Sequence, residues 1–369
     1  MRKVYATGLG STTMKAAVPK VRVVLDKMVE IIEQQRCNGA VDFQALCAKM
    51  TLDAIGVVAF DMNLGGLDDS RELYQEIIDV GHYMTTKLYN PFRILYHKLL
   101  PATKAARAVK KMHEKLAAAW DRMAKEIIAR EDTYAEGEPM WIGLKRFVDP
   151  ETGDKLPYDS FAAEVASVVV AGMDTTGHQL AWILALLASN PDKAEKLVEE
   201  LTIHGLCGKN ARSSTYGDLA ELPYLAAVIK EGMRIAHTLF SATFRMVNRD
   251  MTILDYRVPA GTRIMFPSTR QMCTEAEWGD PDVFRPERWL TDEDMSQKLY
   301  LGFSFGPRDC IGQKLAMMEM RIVLIHLISK YKFSSTVPLG DLMNNVRNGV
   351  AIEARNGIWL NVSPRGHVV

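Results

Sequence analysis

Phe303-Ser304-Phe305-Gly306-Pro307-Arg308-Asp309-Cys310-Ile311-Gly312 holds one cysteine framed by glycines and an arginine, directly ahead of the amphipathic stretch Gln313 to Lys330. A thiolate at Cys310 would sit at a helix N-terminus, where backbone N–H groups and the helix dipole favour negative charge. Gly306 and Gly312 let the backbone bend and pass close to a flat ligand with no Cβ in the way. Arg308 offers a fixed cation to a nearby anionic group. These are the requirements of a cysteinate that serves as axial ligand to a haem iron. The plain alternative is a buried structural cysteine in a turn.

The surrounding chain has 369 residues, 48% of them hydrophobic, with 45 acidic and 45 basic side chains. That length can bury one large core or two ordinary ones. A net charge of zero gives no case for a nucleic-acid partner. Five scattered cysteines without Cys-x-x-Cys or Cys/His spacing argue against a disulfide framework or a zinc site, and a reducing compartment fits best. No run of 18 or more apolar residues reads as a spanning helix, and the first residues lack the apolar core of a signal peptide.

Helical periodicity dominates. It predicts helices over Lys15 to Gln35, Asp42 to Phe60 with Asp42 as cap, Ser70 to Tyr89, and Ala102 to Arg130. A polar loop is expected over Asp132 to Pro157. The next helix, Asp159 to Ser189, is apolar nearly all round and is expected to be central and buried. Shorter helices follow over Asp192 to His204 and Leu225 to Ala236, separated by a loop over Gly205 to Ser214. Thr252 to Val258 and Thr262 to Phe266 alternate around Pro259-Ala260-Gly261 and read as a hairpin. Thr274 to Leu299 reads as a loop. A second hairpin is expected from Gly349 to Glu353 and Gly357 to Val362, around Ala354-Arg355-Asn356. The order is mainly α with small β-sheets late in the chain, without alternating β-α-β units.

Within the long helix lies Ala171-Gly172-Met173-Asp174-Thr175-Thr176. A glycine in a buried helix costs about 1 kcal/mol relative to alanine. Gly172 would therefore clear space where something flat packs or a small molecule enters. Thr175 and Thr176 can bond back to preceding carbonyls, and Asp174 is costly in an apolar helix unless it finds a partner. By itself the run reads equally as a kink with a polar packing network. Glu231 and Arg234 stand at i, i+3 on one helix face, which alone means a weak surface pair.

Together these motifs resemble the cytochrome P450 family. The Cys310 run matches its haem-binding loop, Phe-x-x-Gly-x-Arg-x-Cys-x-Gly, at every fixed position. Ala171 to Thr176 matches the oxygen-activation motif, Ala/Gly-Gly-x-Asp/Glu-Thr-Thr/Ser. Glu231 and Arg234 match the Glu-x-x-Arg helix, and Phe284-Arg285-Pro286-Glu287-Arg288-Trp289 resembles the meander segment that adds Arg288. The resemblance implies a single haem domain over 1–369 with the cytochrome P450 fold. It implies haem b as cofactor, with Cys310 as axial ligand and Phe303, Gly306, Gly312, Gly172 and Arg308 about the cofactor. Arg245 is either a surface arginine leading into a strand or, by the same resemblance, a propionate partner.

As catalytic residues it implies Thr175, which would hold dioxygen and waters by hydrogen bonds, and Asp174, a relay of protons from bulk solvent. Glu231, Arg234 and Arg288 would form a buried structural charge network. The reaction implied is insertion of one atom of O₂ into an apolar organic substrate. Electrons would come from NADPH-cytochrome P450 reductase or another donor, since no flavin- or nicotinamide-binding segment is found. Residues 168–172, 237–243 and 354–357 would shape the substrate pocket. Two other readings are an isomerase or dehydratase of the same fold, and an inactive fragment that binds no haem. The family's first sheet, first helices and membrane anchor find no counterpart, so the fold is expected to be truncated at its N-terminus. Arg2 weakly resembles the arginine of a propionate-gripping Trp-x-x-x-Arg. A full-length eukaryotic form would belong at the endoplasmic reticulum membrane; without an anchor the chain would be cytoplasmic.

Overall fold

The computed structural model describes residues 2–68, 73–89, 103–131, 139–239, 243–266, 272–291, 298 and 300–366. The starts expected for two helices, at Ser70 and Ala102, lie outside these residues. So do parts of the expected loops over Asp132 to Pro157 and Thr274 to Leu299, and residues 240–242 of the expected substrate segment.

The first half is helical: α1 (Arg2–Gly8), α2 (Ser11–Arg36), a two-residue β1 (Val41–Asp42), α3 (Phe43–Ala59), α4 (Leu73–Tyr89), α5 (Lys104–Ala129), α6 (Met140–Lys145) and α7 (Tyr158–Ser189). Spacing explains α2, whose Met14, Val18, Val21, Leu25, Met28 and Ile32 recur every three or four residues and are buried. It starts four residues before the sequence expectation, so Pro19 falls inside the helix rather than near its start. Asp42 caps α3 as expected, with Oδ1 accepting from Gln44 N at 3.0 Å and Ala45 N at 3.5 Å.

Helix α6 falls in the stretch expected to be a loop. Its Met140, Trp141, Ile142 and Leu144 are buried. Glycines 8 and 143 let it lie close to α1: a Cβ at Gly8 would come 2.6 Å from Met140 Cα, and one at Gly143 would come 2.9 Å from Val4 Cγ1.

α3 and α7 cross at the centre of the core. Small residues allow the approach: a Cβ at Gly177 would lie 2.5 Å from Ala48 Cα. Thr51 Oγ1 donates to Met173 O at 2.8 Å across the same crossing. The long helix is buried all round only from Thr176 to Leu187. Its first half buries Phe161, Val165 and Val169 and leaves Ala163, Ser167 and Ala171 exposed, so the expectation of full burial holds for the second half alone.

After α7 come α8 (Pro191–Ile203), α9 (Pro223–Ile235), β2 (Thr243–Met246), β3 (Met251–Ile253), β4 (Tyr256–Val258), β5 (Arg263–Phe266), α10 (Glu275–Trp278), α11 (Gln313–Lys330), β6 (Tyr331–Ser335), α12 (Leu339–Asn344), β7 (Val346–Asn348), β8 (Ile352–Ala354) and β9 (Trp359–Pro364). The first expected hairpin is re-paired. β3 and β4 form a hairpin with each other through Leu254-Asp255, while β5 pairs antiparallel with β2, Arg245 opposite Ile264. The last expected hairpin is also re-paired. β8 returns on β7, and β9 lies between β1 and β6, Val41 opposite Leu360 and Phe333 opposite Val362. The turn before β9 is real, with Gly357 at φ +78° and its N–H on Ala354 O, but its two strands go to different sheets.

Among the described residues no helix is long and apolar enough to cross a membrane.

Candidate active site

The Cys310 loop is built by backbone bonds more than by packing. Ser304 and Gly306 both take positive φ, +64° and +79°. Residues Gly306–Arg308 make a single 3₁₀ turn, and Cys310 N closes back on Phe303 O at 2.9 Å. Gly306 uses the conformational freedom expected of it, and a Cβ there would meet nothing within 4 Å. Gly312 does not: it precedes α11 at φ −82°, and what its missing Cβ leaves open is the space 3.9 Å from Cys310 Sγ.

Cys310 is exposed. Partial desolvation pushes its thiol above the ordinary range, and the charge of Asp309 adds to this; the N–H groups of Gly312 and Gln313, with the charge of Arg2, act the other way. The loop thus points two backbone donors at the sulfur, as expected for a thiolate. The net shift is upward.

Phe303 is half-buried against the core, and Arg308 is exposed. Phe305, not singled out from the sequence, projects from the loop with 80% of its surface exposed. Arg245 is exposed on β2. Arg2 of α1 reaches the loop: Nη1 donates to Asp309 O at 2.8 Å and Nη2 pairs with the Asp309 carboxylate. About one turn further along α1, Tyr5 OH donates to Glu164 of α7, so α1 ties the long helix to the cysteine loop. His237, at the start of the expected substrate segment, is buried with Nε2 3.3 Å from Gly302 O.

On α7, Thr175 Oγ1 donates to Ala171 O at 2.9 Å, the expected back-bond. Thr175 extends the exposed row of small side chains formed by Ala163, Ser167 and Ala171. Asp174 points elsewhere. It is 1% exposed, with Oδ1 3.3 Å from His178 Nδ1. Burial drives its proton affinity up, and nearby Glu353 adds to this; His178, the Ala351 N–H and His82 pull it down, and the net shift is upward.

Gly172 was expected to clear space where something flat packs or a small molecule enters. A Cβ there would come 2.7 Å from Ile55 Cγ1, so its missing side chain serves the α3–α7 crossing.

Behind the loop the structure brings Glu231, Arg234 and Arg288 together. Glu231 Oε1 accepts from Arg234 Nη2 at 3.0 Å, Arg288 Nε at 2.9 Å and Arg285 N at 3.1 Å; Oε2 accepts from Arg234 Nε at 3.0 Å and Trp289 Nε1 at 2.9 Å. Trp289 was not singled out from the sequence. Arg234 Nη1 then donates to Met272 O at 3.0 Å, and Arg288 Nη1 to Trp278 O at 2.8 Å. One carboxylate faces two guanidiniums, and backbone carbonyls take further guanidinium N–H groups, so each charged group in the cluster is hydrogen-bonded, which makes its burial tolerable.

The residues present fit a thiolate-bound haem. An accessible thiol with two converging N–H donors suits an axial ligand. The row of small side chains on α7 leaves room beside Thr175, and exposed Arg308 and Arg245 can meet carboxylates.

The family model "Cytochrome P450" matches residues 1–359. Among curated proteins the chain is 28% identical over 360 residues to taurochenodeoxycholic 6 alpha-hydroxylase of Sus scrofa, covering 93% of this chain and 68% of that protein. It is 28% identical over 367 residues to cytochrome P450 4ae1 of Drosophila melanogaster, covering 93% and 72%. It is 26% identical over 363 residues to cytochrome P450 4V2 of Homo sapiens, covering 94% and 67%. Among solved structures, that of a cytochrome P450 (CYP102L1) superposes with a TM-score of 0.81 at 19% identity, over 99% of this chain and 78% of the other, and shows the same fold.

Proposed function

The chain belongs to the cytochrome P450 family, whose members are in general haem-thiolate monooxygenases, and from that premise we propose that it oxidises an apolar organic substrate with O₂ and electrons from a separate reductase. The observation that supports this best is the accessible Cys310 thiol at the start of α11, with the Gly312 and Gln313 N–H groups directed at it.

In this reading the Cys310 thiolate would ligate the haem iron, and Arg308 and Arg245 would hold the propionates of haem b. Bound there, the haem would supply O₂ activation, with the thiolate donating electron density. Phe303 packs the loop against the core, and Gly306 and Gly312 keep the backbone thin beside the cofactor. Gly172 leaves this group, because Ile55 fills the space it opens.

Thr175 works at the reacting face. Its hydroxyl hydrogen is committed to Ala171 O, so its oxygen is left as an acceptor that orients a water or a substrate proton. Asp174, one residue away and with its proton affinity raised by burial, would pass a proton toward that water. The Glu231 cluster fixes the meander behind the loop and takes no part in the chemistry.

The test is the carbon monoxide difference spectrum of the reduced, haem-supplemented chain. A Soret band at the thiolate-ligated position supports the reading, and Cys310→Ala should abolish it. A band at the position of a neutral ligand in the wild type, or an unchanged band in Cys310→Ala, would overturn the assignment.

A further inference from the structure

Asp174 faces away from the row that contains Thr175, into a second polar cluster that reaches the surface. We propose that His82 and Glu353 form the solvent end of the proton route to Asp174. This deepens the monooxygenase reading and rests on it.

The turn between β7 and β8 builds the connection. It sits between α4 and α7: a Cβ at Gly81 would come 2.9 Å from Val350 Cγ2, and Trp182 Nε1 donates to Ile352 O at 3.2 Å. From this turn the Ala351 N–H reaches the Asp174 carboxylate. Two residues on, Glu353 is 3% exposed, and each of its oxygens is held from the surface side. Oε1 lies 2.7 Å from His82 Nε2, and Oε2 accepts from Arg347 Nε at 2.9 Å. The His82 and Arg347 side chains are 26% and 41% exposed, so the pair spans from interior to solvent.

A second observation points inward. Asp174 Oδ2 is buried and has no hydrogen-bond partner among the described residues. An orphaned carboxylate oxygen in a charged interior calls for a proton or a water. The groups around it are His178 on α7, Glu353 and Arg347 on the β7–β8 hairpin, His82 and Tyr74 on α4, and Asp42 at the start of α3.

The proton affinities of the two carboxyls are shifted in opposite directions. Burial, with the Glu353 charge, raises the proton affinity of Asp174. Burial also works to raise Glu353, but the His82 hydrogen bond, the charges of His178 and His82, and the Arg347 bond outweigh it and hold it below the ordinary range. A proton placed on Glu353 therefore moves toward Asp174. The transfer is balanced: the His82 ring gives a proton from Nε2 to Glu353 Oε1 and takes one back from solvent, and Glu353 passes one proton to Asp174 Oδ2, directly or through a water, once Asp174 has given up its own. One proton enters, one is delivered, and the ring resets by exchange with solvent. Nothing is oxidised or reduced.

The test uses the full chain with haem bound. The first readout is the infrared carboxyl band that disappears in Asp174→Asn, followed against pH without substrate or reductant. Glu353→Gln should move its midpoint down, since the charge that raises it is gone; an unmoved midpoint overturns the link. The second readout is product formed per NADPH in the reconstituted system. Glu353→Gln and His82→Gln should each lower it by roughly ten-fold or more while the thiolate carbon monoxide band stays, and Glu353→Asp should recover part of the loss. His82→Gln leaves the Glu353–Arg347 pair intact and covers the case in which Glu353→Gln does not fold. Full coupling in His82→Gln overturns the route while leaving the monooxygenase reading standing. A wild type without the thiolate band overturns both.

Discussion

Arg234 meets Glu231 edge-on, its Nε and Nη2 each donating to a different carboxylate oxygen at 3.0 Å with both side chains fully buried. The i, i+3 spacing that joins them is worth little on an exposed helix. Buried, with Arg288 on the same carboxylate, it becomes a contact whose loss leaves two guanidiniums without their anion. Glu231→Ala is expected to cost about 3–5 kcal/mol in chemical denaturation. Glu231→Gln should lose less, because its carbonyl still accepts one guanidinium bond. A loss under about 1 kcal/mol for Glu231→Ala would mean that the cluster relaxes around the gap.

The two glycines of the α3–α7 crossing should differ in what they tolerate. A Cβ at Gly177 meets the Ala48 backbone at 2.5 Å, whereas one at Gly172 meets the Ile55 side chain at 2.7 Å. Gly177→Ala therefore forces the helices apart and should cost about 1–3 kcal/mol or more. Gly172→Ala should cost less, and Ile55→Ala in the same chain should relieve it. If Gly172→Ala is instead harmless to thermal unfolding but weakens haem binding, Gly172 faces the ligand after all.

Residue identity made the Cys310 loop and the Asp174-Thr175 run readable, because each packs unusual requirements into a short stretch. Strand partners were not readable. Thr252 to Val258 alternates like one strand, yet Leu254 takes φ +53° and turns the chain, and a leucine gives no warning of that. Asn356-Gly357 announced its turn correctly but could not say that β9 would join β1, some 300 residues earlier. Helix α6 has six residues, too few for a period to show. Gly172 signalled close approach without saying to what, since a neighbouring helix and a flat ligand leave the same mark. His82 and Glu353 are 271 residues apart and have no spacing signature at all.

Glu319 on α11 gives the fold a pH dependence. It is buried, its Oε1 has no partner among the described residues, and burial alone pushes its carboxyl up to about 8. A carboxyl raised on folding favours the folded state fully below its unfolded value near 4.5, and loses that contribution as pH rises toward the folded value. Stability should therefore fall from about pH 5 to about pH 8, by at most about 5 kcal/mol from this group. Glu319→Gln should flatten the slope and be more stable than wild type at the alkaline end. Equal slopes in denaturant titrations across that window would show that Glu319 has found a partner or a water.

Thr175 donates to Ala171 O at 2.9 Å, and this bond leaves its oxygen open toward the exposed side of α7. Thr175→Ala removes the acceptor but adds no bulk, and Ala171, Ser167 and Ala163 keep the face small. Haem binding and the thiolate carbon monoxide band should survive the change. What should fail is the use of electrons: product per NADPH drops by roughly ten-fold, with peroxide released in its place, as expected when a positioned proton-handling group is lost. Thr175→Ser keeps the oxygen and the back-bond to Ala171, and should stay near wild type. Full coupling in Thr175→Ala would remove Thr175 from proton delivery and leave Asp174 to act through water alone.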